Sequence, residues 1–152
     1  MRTYPTQGSR SVTVIAGNRK SVAGDTLVVH DNRTVSTHKK VHVVRDMIVG
    51  YAGCLESGVR FLGWVKRGMG SRGKPNDLHD EFIGLVLDKD GIYEYRYQLV
   101  PIRVEGDCWA LGSGAQAALG AMHMGATPEE AAEVACAIDP YCSGPITVER
   151  LG

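Results

Sequence analysis

The chain has 152 residues, of which 43% are hydrophobic and 22% charged, with 17 basic residues against 17 acidic ones. A chain of this length is expected to fold around one core, and a zero net charge excludes a general attraction to nucleic acid or to an anionic membrane. No apolar run approaches the roughly 20 residues that cross a bilayer, and the first twelve residues lack the hydrophobic segment of a signal peptide, so a cytoplasmic protein is expected.

In chain order, Ser11 to Ala16 and Ser21 to Val29 are rich in β-branched residues and flank the turn-like Gly17-Asn18-Arg19-Lys20. They read as a hairpin. Thr34 to Arg45 reads as a third strand and Met47 to Ala52 as its partner. The period then changes, because Leu55, Val59, Leu62 and Val65 fall on one helical face, and Gly68 ends that helix. The stretch Val65 to Lys74 is locally basic but short and glycine-rich, and it reads as a solvated loop, as does the glycine- and proline-bearing Met69 to Asn76.

Glu81 to Leu87 and Ile92 to Tyr97 follow as strands joined through Asp88-Lys89-Asp90-Gly91, and Trp109 to Leu111 as a shorter one. Tyr93, Tyr95 and Tyr97 alternate along one face and are expected to pack against a sheet or a neighbouring subunit. The alanine-rich run Ala115 to Met124 is helical by propensity. A second helix opens at Thr127-Pro128-Glu129-Glu130, with Thr127 as cap, Pro128 at the first position and Glu130 closing a capping box. Ile146 to Leu151 ends the series as a strand. Strands, helix, strands, two helices and a strand do not alternate singly, so the helices must cover two sheet faces. The expected class is α+β, a four-layer αββα sandwich.

The four cysteines match no zinc or redox spacing and are expected to be reduced. His38 and His42 fall in a strand-like stretch and lack the one-face helical geometry of a paired metal site. Neither a metal nor an organic cofactor is implied. Cys54 has no histidine beside it in sequence and reads as an inert buried thiol.

Asp25 and Lys40 stand among apolar strand neighbours, where charges are rare. Side by side they would form a buried pair, either holding two strands in register or setting protonation states in a pocket. Gly112-Ser113-Gly114, between a strand and a helix, offers backbone N–H groups and a hydroxyl suited to an oxyanion; helix capping by Ser113 accounts for it equally well.

Six blocks stand in one order: Thr13-Val14-Ile15-Ala16; Asn18-Arg19-Lys20-Ser21 leading to Ala23-Gly24-Asp25; Lys39-Lys40-Val41; Ile48-Val49-Gly50-Tyr51-Ala52-Gly53; Leu111-Gly112-Ser113-Gly114; and Asp139-Pro140-Tyr141-Cys142-Ser143-Gly144-Pro145. Together they resemble the HslV-like and phage-encoded proteasome-like peptidases, a family of N-terminal-nucleophile hydrolases, from about Thr13 to the last residue. The resemblance implies residues 1–12 as an extension or pro-segment and residues 13–152 as the proteasome-like domain.

It further implies Thr13 as a nucleophile whose own α-amine, once freed, is the base. Lys40 lowers the pKa of its surroundings, Asp25 holds Lys40, and the N–H of Gly50 serves the oxyanion. Ser113, Asp139 and Ser143 support the amine. The family's partners are a ring of identical subunits, unfolded polypeptide as substrate, and an ATP-driven unfoldase or a phage assembly. The chain departs from the pattern in having Val12 rather than glycine before Thr13, and in an Asp139-to-Ser143 spacing one residue longer than usual. Ser9, which follows Gly8, and Ser11 compete with Thr13 as nucleophile. A second reading stays open, that of a silent proteasome-fold structural protein, such as a phage-particle component, which keeps its N-terminal arm.

Overall fold

The computed structural model describes residues 10–11, 13–30 and 33–152. Ser9, Val12, Asp31 and Asn32 lie outside the described residues, as does the Ser11 hydroxyl.

Twelve strands and three helices follow one another among the described residues. They are β1 (Arg10–Ser11), β2 (Ile15–Asn18), β3 (Ser21–Gly24), β4 (Leu27–His30), β5 (Arg33–Thr37), β6 (Val41–Val44), β7 (Met47–Cys54) and α1 (Leu55–Lys66). Then come β8 (Ile83–Asp88), β9 (Gly91–Tyr95), β10 (Ile102–Arg103), β11 (Cys108–Leu111), α2 (Ala115–His123), α3 (Pro128–Ile138) and β12 (Thr147–Arg150). One sheet runs β10-β9-β8-β7-β1-β4-β5 with β6 also on β7, and the other runs β11-β2-β3-β12. Every strand pairing among the described residues is antiparallel.

The two sheets face each other across Ile15, Val22, Val41, Ile48, Leu85, Leu87 and Leu111, all buried. Helix α1 covers the larger sheet through Phe61, Trp64 and Val65, packed on Val49, Val86 and Tyr95. Helices α2 and α3 cover the smaller sheet through Ala118, Met122, Ala131 and Ala135, packed on Val14, Ala16 and Ala23. The order of layers is α1, larger sheet, smaller sheet, α2 with α3, which is the αββα sandwich. Alanine at the α3 contact allows the helix to approach its sheet closely, whereas α1 fills its contact with rings, Phe61 lying 5.3 Å from Tyr95 and 5.1 Å from Phe82. Each such buried ring contributes about 1.5–3 kcal/mol by removal from water.

Local chemistry fixes the turns. Asn18 Oδ1 accepts from the N–H groups of Lys20 and Ser21, closing β2 onto β3. Asp88 Oδ1 does the same for Asp90 and Gly91 between β8 and β9. The capping box on α3 is complete: the Thr127 hydroxyl accepts from the N–H of Glu130 at 3.2 Å, and Glu130 Oε1 accepts from the N–H of Thr127 at 2.9 Å.

Two stretches differ from the sequence reading. Ser21 to Val29 is not one strand; it breaks at Asp25-Thr26, so that β3 belongs to the smaller sheet and β4 to the larger. The break is held because Asp25 N–H donates to the Val14 carbonyl while the N–H groups of Thr26 and Leu27 both donate to the Ser143 carbonyl. Those backbone groups find partners away from either ladder, as buried amides must. Thr34 to Arg45 likewise breaks into β5 and β6 at His38–Lys40. In both places a strand former crosses between partners, and β propensity does not report which partner a strand has. Val59 is 46% exposed, so the buried face of α1 is centred on Phe61, Trp64 and Val65 rather than on the apolar series through Val59. Tyr97 lies beyond the end of β9 and is exposed, while Tyr95 packs under α1.

Candidate active site

The two broken strands bring their break points together. Thr13 precedes β2, Asp25 follows β3, and Lys40 precedes β6; all three side chains have no exposed surface. Lys40 Nζ donates to Thr13 Oγ1 at 2.9 Å, to Asp25 Oδ1 at 3.1 Å and to the Leu27 carbonyl at 2.6 Å. An ammonium has three N–H donors, so each of its protons has a partner. The Thr13 hydroxyl donates to Asp25 Oδ1, which also receives the N–H of Val14, while Oδ2 receives the N–H of Ser143 at 3.1 Å. The hydroxyl oxygen is thus held between a carboxylate that takes its proton and an ammonium that faces its lone pair.

Burial dominates the protonation of the pair. It pushes the Asp25 carboxyl above its ordinary value, against the opposing pull of Lys40 and of the N–H groups of Ser143 and Val14. It pushes Lys40 below its ordinary value, against Asp25. Each shift moves its group toward the neutral form, so a proton passes between them at lower cost than between the same groups in water.

The segment that carries Lys40 is fixed by Tyr51. Its N–H donates to the Lys40 carbonyl at 3.2 Å, and its phenol lies 2.8 Å from His38 Nε2 and 3.4 Å from the Lys39 carbonyl. Burial raises the phenol to about 12, so Tyr51 stays a neutral hydrogen-bonding group. The residue before it, Gly50, pairs with Val41 and Leu85, and a Cβ there would press on Ile15 Cγ2 at 2.8 Å and approach the Lys40 carbonyl at 3.8 Å. Gly50 therefore lets β7 pass close to the base of β2.

The other flank is the turn from β11 into α2. Gly112 has φ +92, and a Cβ on it would fall on the Thr13 carbonyl oxygen. Gly114 N–H donates to that same carbonyl at 3.3 Å. Gly114, not Ser113, is the N-cap of α2, with no side-chain cap bond. The Ser113 hydroxyl instead faces the Asp139 carboxyl and the Cys142 thiol, close enough to act on the protonation of both. Burial pushes the Asp139 carboxyl up, but Ser113, the N–H of Tyr141 and the Cys142 thiol outweigh it and hold it below its ordinary value.

The structure thus brings Thr13, Asp25 and Lys40 into direct contact and sets Ser113 and Asp139 on the opposite side of the same strand end. Ser143 enters through its main chain, N–H to Asp25 and carbonyl to Thr26 and Leu27. The side chain that joins Ser113 and Asp139 is Cys142, which the sequence reading passed over. The one-residue excess between Asp139 and Ser143 was the available signal, since Cys142 stands at the shorter spacing. Cys54 bonds Glu56 through its thiol and lies at the start of α1.

Strand β1 closes the site from the third side. Arg10 pairs with Val29 of β4 and with Cys54 of β7, and Ser11 with Gly53. Arg10 and Ser11 therefore fill the gap between β4 and β7, on the edge of β7 that β6 occupies further along.

Comparison with known proteins agrees with this architecture. The sequence matches no family model and no curated protein. Among solved structures, eukaryotic HslV from Trypanosoma brucei superposes with a TM-score of 0.73 at 20% identity, covering 90% of this chain and 98% of that one. BPH from Thiobacillus denitrificans, solved in complex with epoxomicin, gives a TM-score of 0.65 at 18% identity over 92% of this chain and 98% of that one. A second BPH structure from Thiobacillus denitrificans gives 0.62 at 17% identity over the same shares. The chain has the proteasome-type N-terminal-nucleophile hydrolase fold. None of the helices is long and apolar enough to cross a membrane among the described residues.

Proposed function

We propose that the protein is a threonine-type N-terminal-nucleophile peptidase subunit, with Thr13 as nucleophile after removal of residues 1–12. One observation carries the reading: a fully buried threonine hydroxyl held between the carboxylate of Asp25 and the ammonium of Lys40. Such an arrangement is costly to bury and adds little to stability, so a chemical use is its better account.

In the chain with residues 1–12 attached, the Thr13 nitrogen is an amide. The Thr13 oxygen would attack the Val12 carbonyl carbon, with Lys40 and Asp25 taking its proton, and the C–N bond would break to give an ester and a free amine. Water then cleaves the ester and releases the segment. In turnover the free α-amine, whose ordinary pKa is near 8, becomes the base. The Thr13 oxygen attacks a substrate peptide carbonyl, the amine leaves with a proton, and water hydrolyses the acyl-enzyme ester. Gly50 N–H would face the oxyanion, while Ser113 and Asp139, with Cys142 between them, would hydrogen-bond the amine. The gap between β4 and β7, filled by β1, would receive an extended substrate in the same antiparallel way.

The working form would be a homo-oligomeric ring acting on unfolded polypeptide, supplied by an ATP-dependent unfoldase or by a phage assembly. Met124, Ile138 and Tyr141 are 89%, 69% and 52% exposed on or just beyond α2 and α3, an apolar surface that suits a neighbour. Cytoplasmic location, or packaging in a virion, goes with that reading.

The second reading, a structural protein that keeps its arm, has β1 in its favour, because Arg10 and Ser11 are paired into the larger sheet on both edges. That pairing is within the chain's own sheet rather than on a neighbour.

Intact mass of the purified protein, before and after epoxomicin, separates the two. The peptidase loses residues 1–12 and gains the mass of one inhibitor. A shortened chain beginning Met-Thr13, which exposes the amine by methionine removal alone, should react likewise. If it assembles yet neither cleaves peptides nor takes the inhibitor, Thr13 is not the nucleophile. Loss of residues 1–8 or 1–10 instead would move that role to Ser9 or Ser11.

A further inference from the structure

We propose that Cys136 and Cys142 form a reversible disulfide beside the Thr13 site, drawing the Cys142 thiol away from Ser113 and Asp139. Cys136 sits in the last turn of α3. The chain leaves the helix at Asp139 and turns back at once, with Tyr141 N–H donating to Asp139 Oδ1 at 2.9 Å and Cys142 N–H to the Asp139 carbonyl at 3.1 Å. This turn lays Cys142 against the helix. The two sulfurs and a carboxylate oxygen of Asp25 lie within 4.8 Å of one another. Closing the sulfurs to a bond of about 2.05 Å needs side-chain rotation and a short shift of the turn.

The surroundings favour the oxidised pair over the thiolates. Burial, then the charge of Asp25, pushes Cys136 up to about 11 and Cys142 higher still, with Asp139 adding to the effect. Lys40 opposes it at Cys136, and Ser113 opposes it at Cys142. A disulfide carries neither charge nor proton, so forming it leaves the balance between Asp25 and Lys40 unchanged. A metal dication in the same place would require both thiols to ionise. Thiols held protonated in this way are oxidised slowly but give a disulfide that small thiols reduce with difficulty.

With a small-molecule disulfide such as oxidised glutathione as oxidant, the Cys136 thiolate attacks one sulfur and releases one glutathione thiolate. Cys136 is the entry point because it is partly exposed, whereas Cys142 is only 3% exposed. The Cys142 thiolate then attacks the Cys136 sulfur and releases the second glutathione. Two protein thiols are oxidised, one disulfide is reduced, and the two protons pass to the released thiolates. Because Gly114 stands so close that a Cβ there would lie 3.1 Å from Cys142 Sγ, and Ser143 donates to Asp25, movement at Cys142 is felt on both flanks of Thr13. The effect on turnover rests on the peptidase reading; the disulfide does not.

The test exposes the full chain to oxidised glutathione at pH 8, quenches with an alkylating reagent and maps the peptides by mass. A Cys136–Cys142 linked peptide is expected, reversed by dithiothreitol, with Cys54 and Cys108 alkylated as free thiols. Alkylation of both Cys136 and Cys142, or a reaction that stops at a glutathione adduct on Cys136, overturns the proposal. Cys136→Ser should abolish the link. Where the reduced protein hydrolyses peptide, the linked form should lose at least about tenfold in rate and regain it on reduction, with Cys136→Ser active and insensitive to oxidant. An unchanged rate in the linked form overturns the coupling to Thr13. A reduced protein without turnover counts against the peptidase reading alone, and the peptide map still decides the disulfide.

Discussion

Lys40 Nζ lies 2.9 Å from Thr13 Oγ1 although 27 positions separate the two residues, and the same ammonium is 3.1 Å from Asp25. All three are enclosed, so their charges have each other and the surrounding amides as partners instead of water. Removing one member should then hurt more than removing two. Lys40→Met is expected to destabilise the fold by about 3–5 kcal/mol, because Asp25 is left buried without a counter-charge. Asp25→Asn with Lys40→Met should recover a large part of that loss. Urea unfolding of the two single variants and the double variant measures it; additive losses would mean that the pair is not coupled.

The same pair sets a pH dependence of stability. Asp25 is raised, so the native state holds a proton that the unfolded state releases above its ordinary value of 3.8. Stability falls with rising pH from there up to the native value. Lys40 is lowered, so between its native value and its ordinary 10.5 the unfolded state binds more protons, and stability rises with pH across that window. The difference between wild type and the Asp25→Asn, Lys40→Met variant, measured by unfolding across pH, should fall in the acid window and rise in the alkaline one.

At Thr13 the hydroxyl and the methyl group have separable roles. Thr13→Ala removes the oxygen that joins Lys40 to Asp25 and is expected to abolish both segment removal and peptide hydrolysis. Thr13→Ser restores that oxygen and should retain a measurable part of each activity. Full activity in Thr13→Ala, read on a fluorogenic peptide, would remove Thr13 from the chemistry.

Gly112 is held at φ +92 with its α-carbon against the Thr13 carbonyl. Gly112→Ala should cost at least about 1–3 kcal/mol from the backbone conformation, with the further loss of the close approach to Thr13. Thermal unfolding gives the stability, and hydrogen exchange at the N–H of Gly114 reports the carbonyl it donates to.

The cap of α3 offers a control remote from the site. Thr127→Ala should cost about 1 kcal/mol and leave the Thr13 surroundings unchanged. The N–H of Thr127 and its hydroxyl hold Glu130 below its ordinary value of 4.5. Its contribution is therefore present above 4.5 and lost as pH falls through the lower native value. Glu130→Gln should flatten that part of the acid unfolding curve.

What the sequence by itself determined were the features written in neighbouring residues. The Thr127-Pro128-Glu130 cap, the Asn18 and Asp88 turns, and the helical runs from Leu55 and Ala115 all depend on hydrogen bonds or periodicity within a few positions, and all are present. The ordered blocks from Thr13 to Pro145 marked the fold and named Thr13, Asp25 and Lys40 as a group. Only the tertiary structure decided where Ser21 to Val29 and Thr34 to Arg45 break, because a strand former does not specify which strand it pairs with. The breaks are fixed by Val14, Ser143 and Tyr51, all distant in sequence. Cys142 took its place for the same reason: the backbone turn after α3 sets which side chain reaches Ser113 and which residue, Ser143, presents its amide to Asp25. Residue spacing counts positions along the chain, whereas a buried site is assembled by hydrogen bonds between segments that only folding brings together.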